Sequence, residues 1–253
     1  MILDSFSLKG KVAIVTGCNT GLGQGMAIGL AQAGADIAGV YCSDTSETQK
    51  LIEDLGRVFL PIKADLSSIE PIDKIIEETL RKFGKIDILV NNAGIIRRNE
   101  SIDFSEKDWD DVMNVNAKTL FFLSQAVAKQ FIKQGTGGKI INIASMLSYQ
   151  GGIRVPSYTA SKHAVMGLTR IMANEWAKYN INVNAIAPGY MITNNTAPLR
   201  ADEKRYKEIL DRIPAGRWGT PEDLQGAVVF LASDASNYVN GFTIAVDGGW
   251  LAR

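Results

Sequence analysis

Tyr158 and Lys162 stand four positions apart and have the residue types needed for proton exchange with an alcohol or a ketone. Residues 157–179 are predicted to form a helix, so this spacing places both side chains on one face. A free tyrosine hydroxyl has a pKa of about 10, which is too high for a base at neutral pH. A nearby ammonium favours the phenolate and lowers that pKa. The pair therefore predicts general acid–base chemistry at the Tyr158 oxygen.

Two polar residues elsewhere in the chain could complete such a site. Ser145 ends a predicted strand, and its hydroxyl could hydrogen-bond a substrate oxygen and orient it. Asn116 lies inside a long predicted helix over 108–132, where asparagine is mildly unfavourable. A helix-bound water that links Lys162 to solvent would give Asn116 a reason to be there. Each residue alone more often has a structural role, but the set is improbable as an accident.

A glycine-rich loop over 17–23, with the pattern GxxxGxG, joins the first predicted strand to a helix predicted over 21–33. Glycines let the backbone approach a pyrophosphate closely, and the helix N-terminus offers free N–H groups and partial positive charge. Tight turns also collect glycine, so the loop alone is weak evidence. Its position directly after a β-branched strand favours a dinucleotide site.

Three further segments bear on that cofactor. Asp65, after the third predicted strand, could accept the adenine amino group or could cap a helix. The small residues at 91–94 could let a cofactor lie against the backbone or could form a plain turn. The second strand ends at Tyr41, and no lysine or arginine follows it in the segment Tyr-Cys-Ser-Asp. Because an arginine there would favour a 2′-phosphate, and because Thr20 is uncharged, the sequence predicts NAD rather than NADP.

The elements that must position these residues alternate between strand and helix along the whole chain. This order predicts an α/β fold in one domain over 1–253, with a seven-stranded parallel sheet and helices on both faces. Ser67 or Ser68 is expected to cap the helix after the third strand. The polar region around 190–214 is the least regular and is predicted to be a substrate lid. The predicted strands are 11–16, 36–41, 58–63, 86–90, 139–144, 181–187 and 242–246.

Bulk properties exclude several classes of function. The chain has 253 residues, 46% of them hydrophobic, and 27 basic residues balance 27 acidic ones. Such a balance gives no field that would attract nucleic acid or an anionic membrane. Cys18 and Cys42 form no CxxC pair, we expect no signal peptide or spanning helix, and a cytoplasmic location fits. His163 is the only histidine, so a multi-histidine metal site is impossible and no metal is expected.

Taken together, TGxxxGxG at 16–23, NNAG at 91–94, Asn116, Ser145, YxxxK at 158–162 and the Pro-Gly pair at 188–189 resemble the short-chain dehydrogenase/reductase family. The match runs to the VDGG sequence at 246–249. The resemblance implies a Rossmann sheet, a homotetramer and a catalytic tetrad of Asn116, Ser145, Tyr158 and Lys162. Tyr41 departs from the family pattern, since NAD-preferring members often carry aspartate there. The implied cofactor residues are Gly17, Asn19, Thr20, Gly21, Leu22, Gly23, Tyr41, Asp65, Leu66, Asn92, Ala93, Gly94, Tyr158, Lys162, Pro188, Gly189 and Thr193.

Longer stretches at 1–27, 143–162 and 180–196 are similar to sugar-acid dehydrogenases of that family, which use NAD and act in the breakdown of uronic-acid polysaccharides such as pectin. The substrate would then be a small carboxylate. Arg154, between Ser145 and Tyr158, could bind it in two-point fashion, ahead of Arg97 and Arg98, or could be a surface arginine or brace a subunit contact. Gln150, Asn194 and Asn195 could serve sugar hydroxyls.

Three other functions stay open from the sequence. A 3-oxoacyl-thioester reductase shares the tetrad and normally prefers NADPH, but an arginine at position 20 would support it and Thr20 does not. Another sugar or polyol dehydrogenase of the family is a second alternative. A nucleotide-sensing protein without catalysis would be expected to lose Tyr158 or Lys162, yet both are present.

Overall fold

Seven parallel strands form one sheet in the computed structural model, which describes all 253 residues. Their order across the sheet is β3-β2-β1-β4-β5-β6-β7. Progress along the sheet reverses between β1 and β4, which leaves a crevice at their carboxyl ends where α/β proteins bind ligands. The strands are β1 (Val12–Thr16), β2 (Asp36–Tyr41), β3 (Phe59–Lys63), β4 (Ile88–Asn91), β5 (Gly138–Ile143), β6 (Ile181–Pro188) and β7 (Thr243–Val246).

Helices cover both faces of this sheet. One core cluster joins α1 and α9 to the sheet through side chains such as Met26, Leu30 and Val228. The other joins α3 and α5 through side chains such as Ile75 and Phe131. The seven-stranded parallel Rossmann fold predicted from the sequence is therefore confirmed. The helices are α1 (Gly21–Gln32), α2 (Ser46–Asp54), α3 (Ile72–Phe83), α4 (Glu106–Met113), α5 (Leu120–Gln134), α6 (Pro156–Trp176), α7 (Ala197–Ala201), α8 (Glu203–Arg212) and α9 (Gln225–Ala232).

The helix predicted over 108–132 is interrupted. It begins at Glu106, where the Ser105 side chain accepts a hydrogen bond from the Asp108 N–H, and α5 ends at Gly135 in the left-handed conformation. Between α4 and α5, residues Asn114–Thr119 form a π-helical turn. Such turns insert one extra residue and are frequent at functional sites. This turn carries Asn116.

Two predictions about the local structure around the crevice differ from the fold. Neither Ser67 nor Ser68 caps α3, which begins only at Ile72; instead the Ser67 N–H donates to the Asp65 carboxylate within a turn. The region predicted to be irregular holds two helices, α7 and α8. Apolar side chains of α8 pack on Met146 and on two tryptophans, so this region is attached to the body. None of the helices has the length and apolar character that crossing a bilayer would require.

Candidate active site

The glycine-rich loop brings backbone close to backbone at the start of α1. Gly17 has a φ of 64°, in the left-handed region that glycine adopts without strain. A Cβ added at Gly23 would collide with the Gly17 carbonyl oxygen and the Asn92 side chain. Thr20 makes no side-chain capping bond, and the first turn of α1 holds no acidic residue. The N–H groups at this helix end are thus available to an anion, as a pyrophosphate requires.

The loops after β1 and β4 are tied together by Thr16. Its hydroxyl accepts hydrogen bonds from the backbone N–H groups of Asn92 and Ala93, each at 3.0 Å. The Asn92 side-chain amide donates in turn to the Thr16 carbonyl oxygen at 2.9 Å. Side chains and backbone of two distant segments therefore form one rigid floor for the crevice.

Above this floor lies a cleft of about 330 Å³ at the carboxyl ends of the strands. Its glycine-rich wall and free helix end fit a dinucleotide, and Tyr41 and Asp65 line the same cleft. Of the predicted cofactor residues, Pro188 and Gly189 do not line it. Gly189 packs on Asp247, so close that an added Cβ would lie 2.6 Å from the Asp247 Cα. The predicted residues that line the cleft are Gly17, Asn19, Thr20, Gly21, Leu22, Gly23, Tyr41, Asp65, Leu66, Asn92, Ala93, Gly94, Tyr158, Lys162 and Thr193.

Tyr158 and Lys162 face this cleft together from α6. The Lys162 Nζ lies 5.5 Å from the centre of the Tyr158 ring and donates a 2.6 Å hydrogen bond to the Ile143 carbonyl oxygen at the end of β5. Ser145 follows that strand, and its hydroxyl acts on Tyr158 by lowering the pKa of the phenol. The Ser145 oxygen also accepts from the Leu147 N–H at 3.1 Å, which fixes its position. The three side chains predicted from spacing thus converge in space.

Burial dominates the ionisation of both groups. It raises the pKa of Tyr158, and the Ser145 hydrogen bond and the charge of Arg98 offset only part of that rise. Burial also lowers the pKa of Lys162 to about 8. From the sequence, the Lys162 ammonium is expected to lower the pKa of Tyr158, whereas in the structure the ammonium is engaged by Ile143 and the lowering comes from Ser145 and Arg98.

Asn116 acts through direct contacts. Its side-chain oxygen accepts from the Ile95 N–H at 2.9 Å, and its amide donates to the Ile95 carbonyl oxygen at 3.0 Å and to the Ser161 hydroxyl at 3.1 Å. The π turn therefore joins the loop after β4 to α6, beside Lys162. The Asn116 side chain thus makes three protein hydrogen bonds, and the water link to Lys162 stays a prediction.

The predicted substrate residues divide into two groups. Ser145 lowers the pKa of Tyr158, and Asn194 lines the cleft. Gln150 and Arg154 do not line it. The Arg154 Nε lies 3.0 Å from a Glu100 carboxylate oxygen, and Gln150 accepts a long 3.4 Å bond from Arg212.

Arg98 ranks behind Arg154 as a substrate ligand on sequence grounds and does not itself line the cleft, but it contacts a residue that does. Its Nη2 donates to the Asn195 carbonyl oxygen at 3.0 Å, and its charge acts on Tyr158. Val115 and Asn195 also line the cleft, and neither is among the predicted cofactor or catalytic residues. The signal that could have found Arg98 is its place four residues after Gly94, on the loop that leaves β4 beside the cleft.

A Rossmann sheet with this loop and this serine, tyrosine and lysine defines a class of nicotinamide-dependent oxidoreductases, and the comparisons with known proteins agree. Residues 17–251 match a family model described as enoyl-(acyl carrier protein) reductase. The chain belongs to the short-chain dehydrogenase/reductase family, as its motifs predict.

Individual relatives are similar over the full chain. A 2-dehydro-3-deoxy-D-gluconate 5-dehydrogenase from Dickeya dadantii is 70% identical over 253 residues, which cover 100% of both chains. A solved structure of a proposed 2-deoxy-D-gluconate 3-dehydrogenase from Agrobacterium tumefaciens, with bound NADP, is 55% identical with a TM-score of 0.91 and covers 99% of this chain and 100% of its own. A gluconate 5-dehydrogenase from Burkholderia cenocepacia, in complex with NADP and tartrate, is 40% identical with a TM-score of 0.95 and covers 100% of both. The resemblance to sugar-acid dehydrogenases is confirmed.

Proposed function

We propose that this protein is an NAD-dependent oxidoreductase that interconverts 2-dehydro-3-deoxy-D-gluconate and 3-deoxy-D-glycero-2,5-hexodiulosonate. The observation that carries the proposal is the 70% identity, over the whole of both chains, to a 2-dehydro-3-deoxy-D-gluconate 5-dehydrogenase. The converging Ser145, Tyr158 and Lys162 side chains supply the acid–base groups that oxidation of an alcohol needs.

In the proposed mechanism, each side chain has one task at the reacting oxygen. The nicotinamide ring, when bound, supplies the hydride acceptor or donor. The Ser145 hydroxyl donates to the substrate oxygen and orients it. Tyr158 accepts the hydroxyl proton during oxidation and returns it during reduction. Lys162 binds the ribose next to the nicotinamide, and Asn116 holds the Ile95 backbone and α6 in register.

The remaining cofactor contacts follow from the cleft. We assign the pyrophosphate to the loop at 17–23 and the N-terminus of α1, and the adenosine to Tyr41, Asp65 and Leu66. Thr193 would meet the carboxamide. Pro188 and Gly189 would act indirectly, because they end β6 and direct the chain toward Thr193.

Charge near the second strand supports NAD. Asn19 donates a 2.8 Å hydrogen bond to the Ser43 hydroxyl just beyond Tyr41. Asp44 follows, and hydrogen bonds from Ser46 lower the pKa of its carboxyl group, so it is anionic at neutral pH. No lysine or arginine follows Tyr41 in the segment 41–44 to hold a 2′-phosphate, and a carboxylate favours a ribose hydroxyl over a phosphate. The two solved relatives carry NADP, which makes cofactor preference a direct test.

The substrate end is polar. Asn194 and Asn195 line the cleft and can serve sugar hydroxyls. For Arg154 to bind the substrate carboxylate, it would have to exchange Glu100 for the substrate; Gln150 would contact the outer part of the same molecule. The region around 190–214 would close over it as a lid.

We also propose that the protein is a cytoplasmic homotetramer that serves uronate and pectin breakdown. Exposed apolar residues beside the open edge of β7 support a subunit contact there, since Phe242 is 61% exposed and Tyr238 fully so. Sedimentation of the purified protein measures the assembly, and a monomer would contradict it.

Initial rates with purified protein test the function. We expect oxidation of 2-dehydro-3-deoxy-D-gluconate with NAD to exceed oxidation with NADP, and to exceed the rate on gluconate. Reduction of a 3-oxoacyl thioester with NADPH measures the rival activity. A faster rate on that thioester than on any hexonate would refute the proposal.

A further inference from the structure

Ser148 lies at the end of a short 3-10 turn, Met146–Ser148, which directly follows Ser145. The Ser148 hydroxyl oxygen accepts a 3.3 Å hydrogen bond from the Ser145 N–H, as in a capping box. The Ser145 hydroxyl oxygen accepts in turn from the Leu147 N–H at 3.1 Å. Because that bond uses only a lone pair, the single hydroxyl hydrogen of Ser145 stays available for a substrate oxygen.

The same Ser148 hydroxyl also reaches α6. Its hydrogen is donated to the Lys162 backbone carbonyl oxygen at 2.6 Å, across 14 positions of sequence. A carbonyl oxygen has two lone pairs, so it can accept this bond beside a helical one. Lys162 stands one helical turn after Tyr158. Ser148 therefore connects the backbone of Ser145 to the part of α6 that carries Tyr158 and Lys162.

The Ser148 side chain is buried and takes no place in the cleft. The residue is 5% exposed and does not line the cavity, so it meets neither substrate nor cofactor. The Lys162 ammonium has a separate anchor, since its Nζ donates to the Ile143 carbonyl oxygen at 2.6 Å. The Ser148 bonds are thus not needed to hold the ammonium. What they supply is a direct connection between the Ser145 backbone and α6.

We propose that Ser148 is a positioning residue, which sets the place of the Ser145 hydroxyl relative to Tyr158 through one hydrogen bond to each segment. Without this hydroxyl, the Ser145 N–H loses its acceptor and the turn loses its bond to the helix. A misplacement of about 1 Å among reacting groups can cost roughly 10²-fold in rate. The inference rests on the proposed function, because Ser145 must orient the reacting oxygen for its position to matter.

Replacement of Ser148 by alanine removes both hydrogen bonds with a small change in volume. Ser236→Ala is the matched control. Ser236 is fully buried, lies outside the cleft, and donates to the backbone carbonyl oxygens of Leu231 and Ser233, each at 3.0 Å. The readouts are kcat and KM for hexonate oxidation, NADH affinity by fluorescence titration, and the free energy of unfolding in urea.

We expect Ser148→Ala to lower kcat about ten- to a hundredfold. The KM for the hexonate and the affinity for NADH should be kept, because Ser148 touches neither molecule and Ile143 still holds the lysine ammonium. Ser236→Ala should lose stability and keep kcat. A fall in kcat no larger than that of the control overturns the proposal, and so does a change confined to KM.

A double-mutant cycle shows whether Ser148 acts through Ser145. If it does, Ser148→Ala should lower kcat far less in a Ser145→Ala background than in the unaltered protein. An equal fall in the two backgrounds overturns the proposal. If Ser148→Ala does not fold, Ser148→Cys takes its place in both experiments, because a thiol fills similar space and is a much weaker donor.

Failure of the proposed function would look different. The unaltered protein would then oxidise no hexonate with either cofactor, and amide hydrogen exchange, which needs no turnover, would replace the rates. The Ser145 N–H should exchange faster in Ser148→Ala than in the unaltered protein, and Ser236→Ala should leave it unchanged. An exchange rate at Ser145 that is the same in both variants overturns the connection.

Discussion

Replacement of Asn116 by alanine tests whether the π turn organises the site. The Asn116 side chain is only 1% exposed and makes three hydrogen bonds, two to the Ile95 backbone and one to Ser161. Each such bond contributes about 0.5–1.5 kcal/mol net, so their loss should lower the free energy of unfolding by about 2–4 kcal/mol. For a chain of this size, that lowers Tm by roughly 5–15 °C. Release of the loop after β4 should also reduce kcat, because that loop carries Arg98.

Urea unfolding and initial rates measure both effects. Asn184→Ala is the matched control, since Asn184 is also 1% exposed and its side chain bonds only the Val239 carbonyl oxygen and the Phe242 N–H, away from the cleft. This control should lose stability and keep kcat once it is folded. An Asn116→Ala protein that loses less than about 1 kcal/mol, which is below the value of its three bonds, or that keeps full kcat, would refute the reasoning.

Further expectations concern the tyrosine, the buried lysines and the loop. Tyr158→Phe should lower kcat by about 10²–10⁴-fold with NADH affinity kept, and retention of most activity would exclude Tyr158 as the proton carrier. Burial lowers the pKa of Lys162 and of Lys139 to about 8. Between that pH and about 10.5, the unfolded chain binds protons that the folded chain has released, so the free energy of unfolding should rise with pH. Urea titrations should show this rise shrinking in Lys139→Met, and an equal rise in both proteins would contradict it. Gly23→Ala should weaken NADH binding at least about tenfold, or 1.4 kcal/mol, in a fluorescence titration, and unchanged affinity would show that the loop does not contact the cofactor.

The sequence pattern was sufficient to predict the sheet, because its central strands are continuous apolar runs. All of β1, β4 and β6 is buried, and such runs between turn residues stand out in a sequence. The sequence does not predict the π turn, because its six residues have ordinary helical composition. The sequence predicts the start of α3 too early, because the Ser67 N–H donates to the Asp65 carboxylate within a turn. Residue types alone do not distinguish such a turn from a helix cap.

The candidate site was predictable where its members lie close in sequence or follow strand ends. Tyr158 and Lys162 are one helical turn apart, and the loop at 17–23 follows β1 directly. The sequence ranks Arg154 ahead of Arg98 but could not show their contacts, because Arg154 pairs with Glu100 and Arg98 donates to the distant Asn195. Burial likewise reversed the expected pKa change of Tyr158, since no local pattern states how much water a folded cleft excludes.

The π turn also determines which side of α5 faces the core. One extra residue in the turn rotates α5 by about 100° relative to a continuous α-helix that began at Glu106. Leu123, Val127 and Phe131 face the core only in this phase. Deleting a single residue between 114 and 119 would allow a regular α-helix that keeps this stripe on the core, but it would remove the turn that places Asn116. The chain length of this short stretch is therefore as constrained as the identity of Asn116, and insertions or deletions should be tolerated at the loop tips well before they are tolerated here.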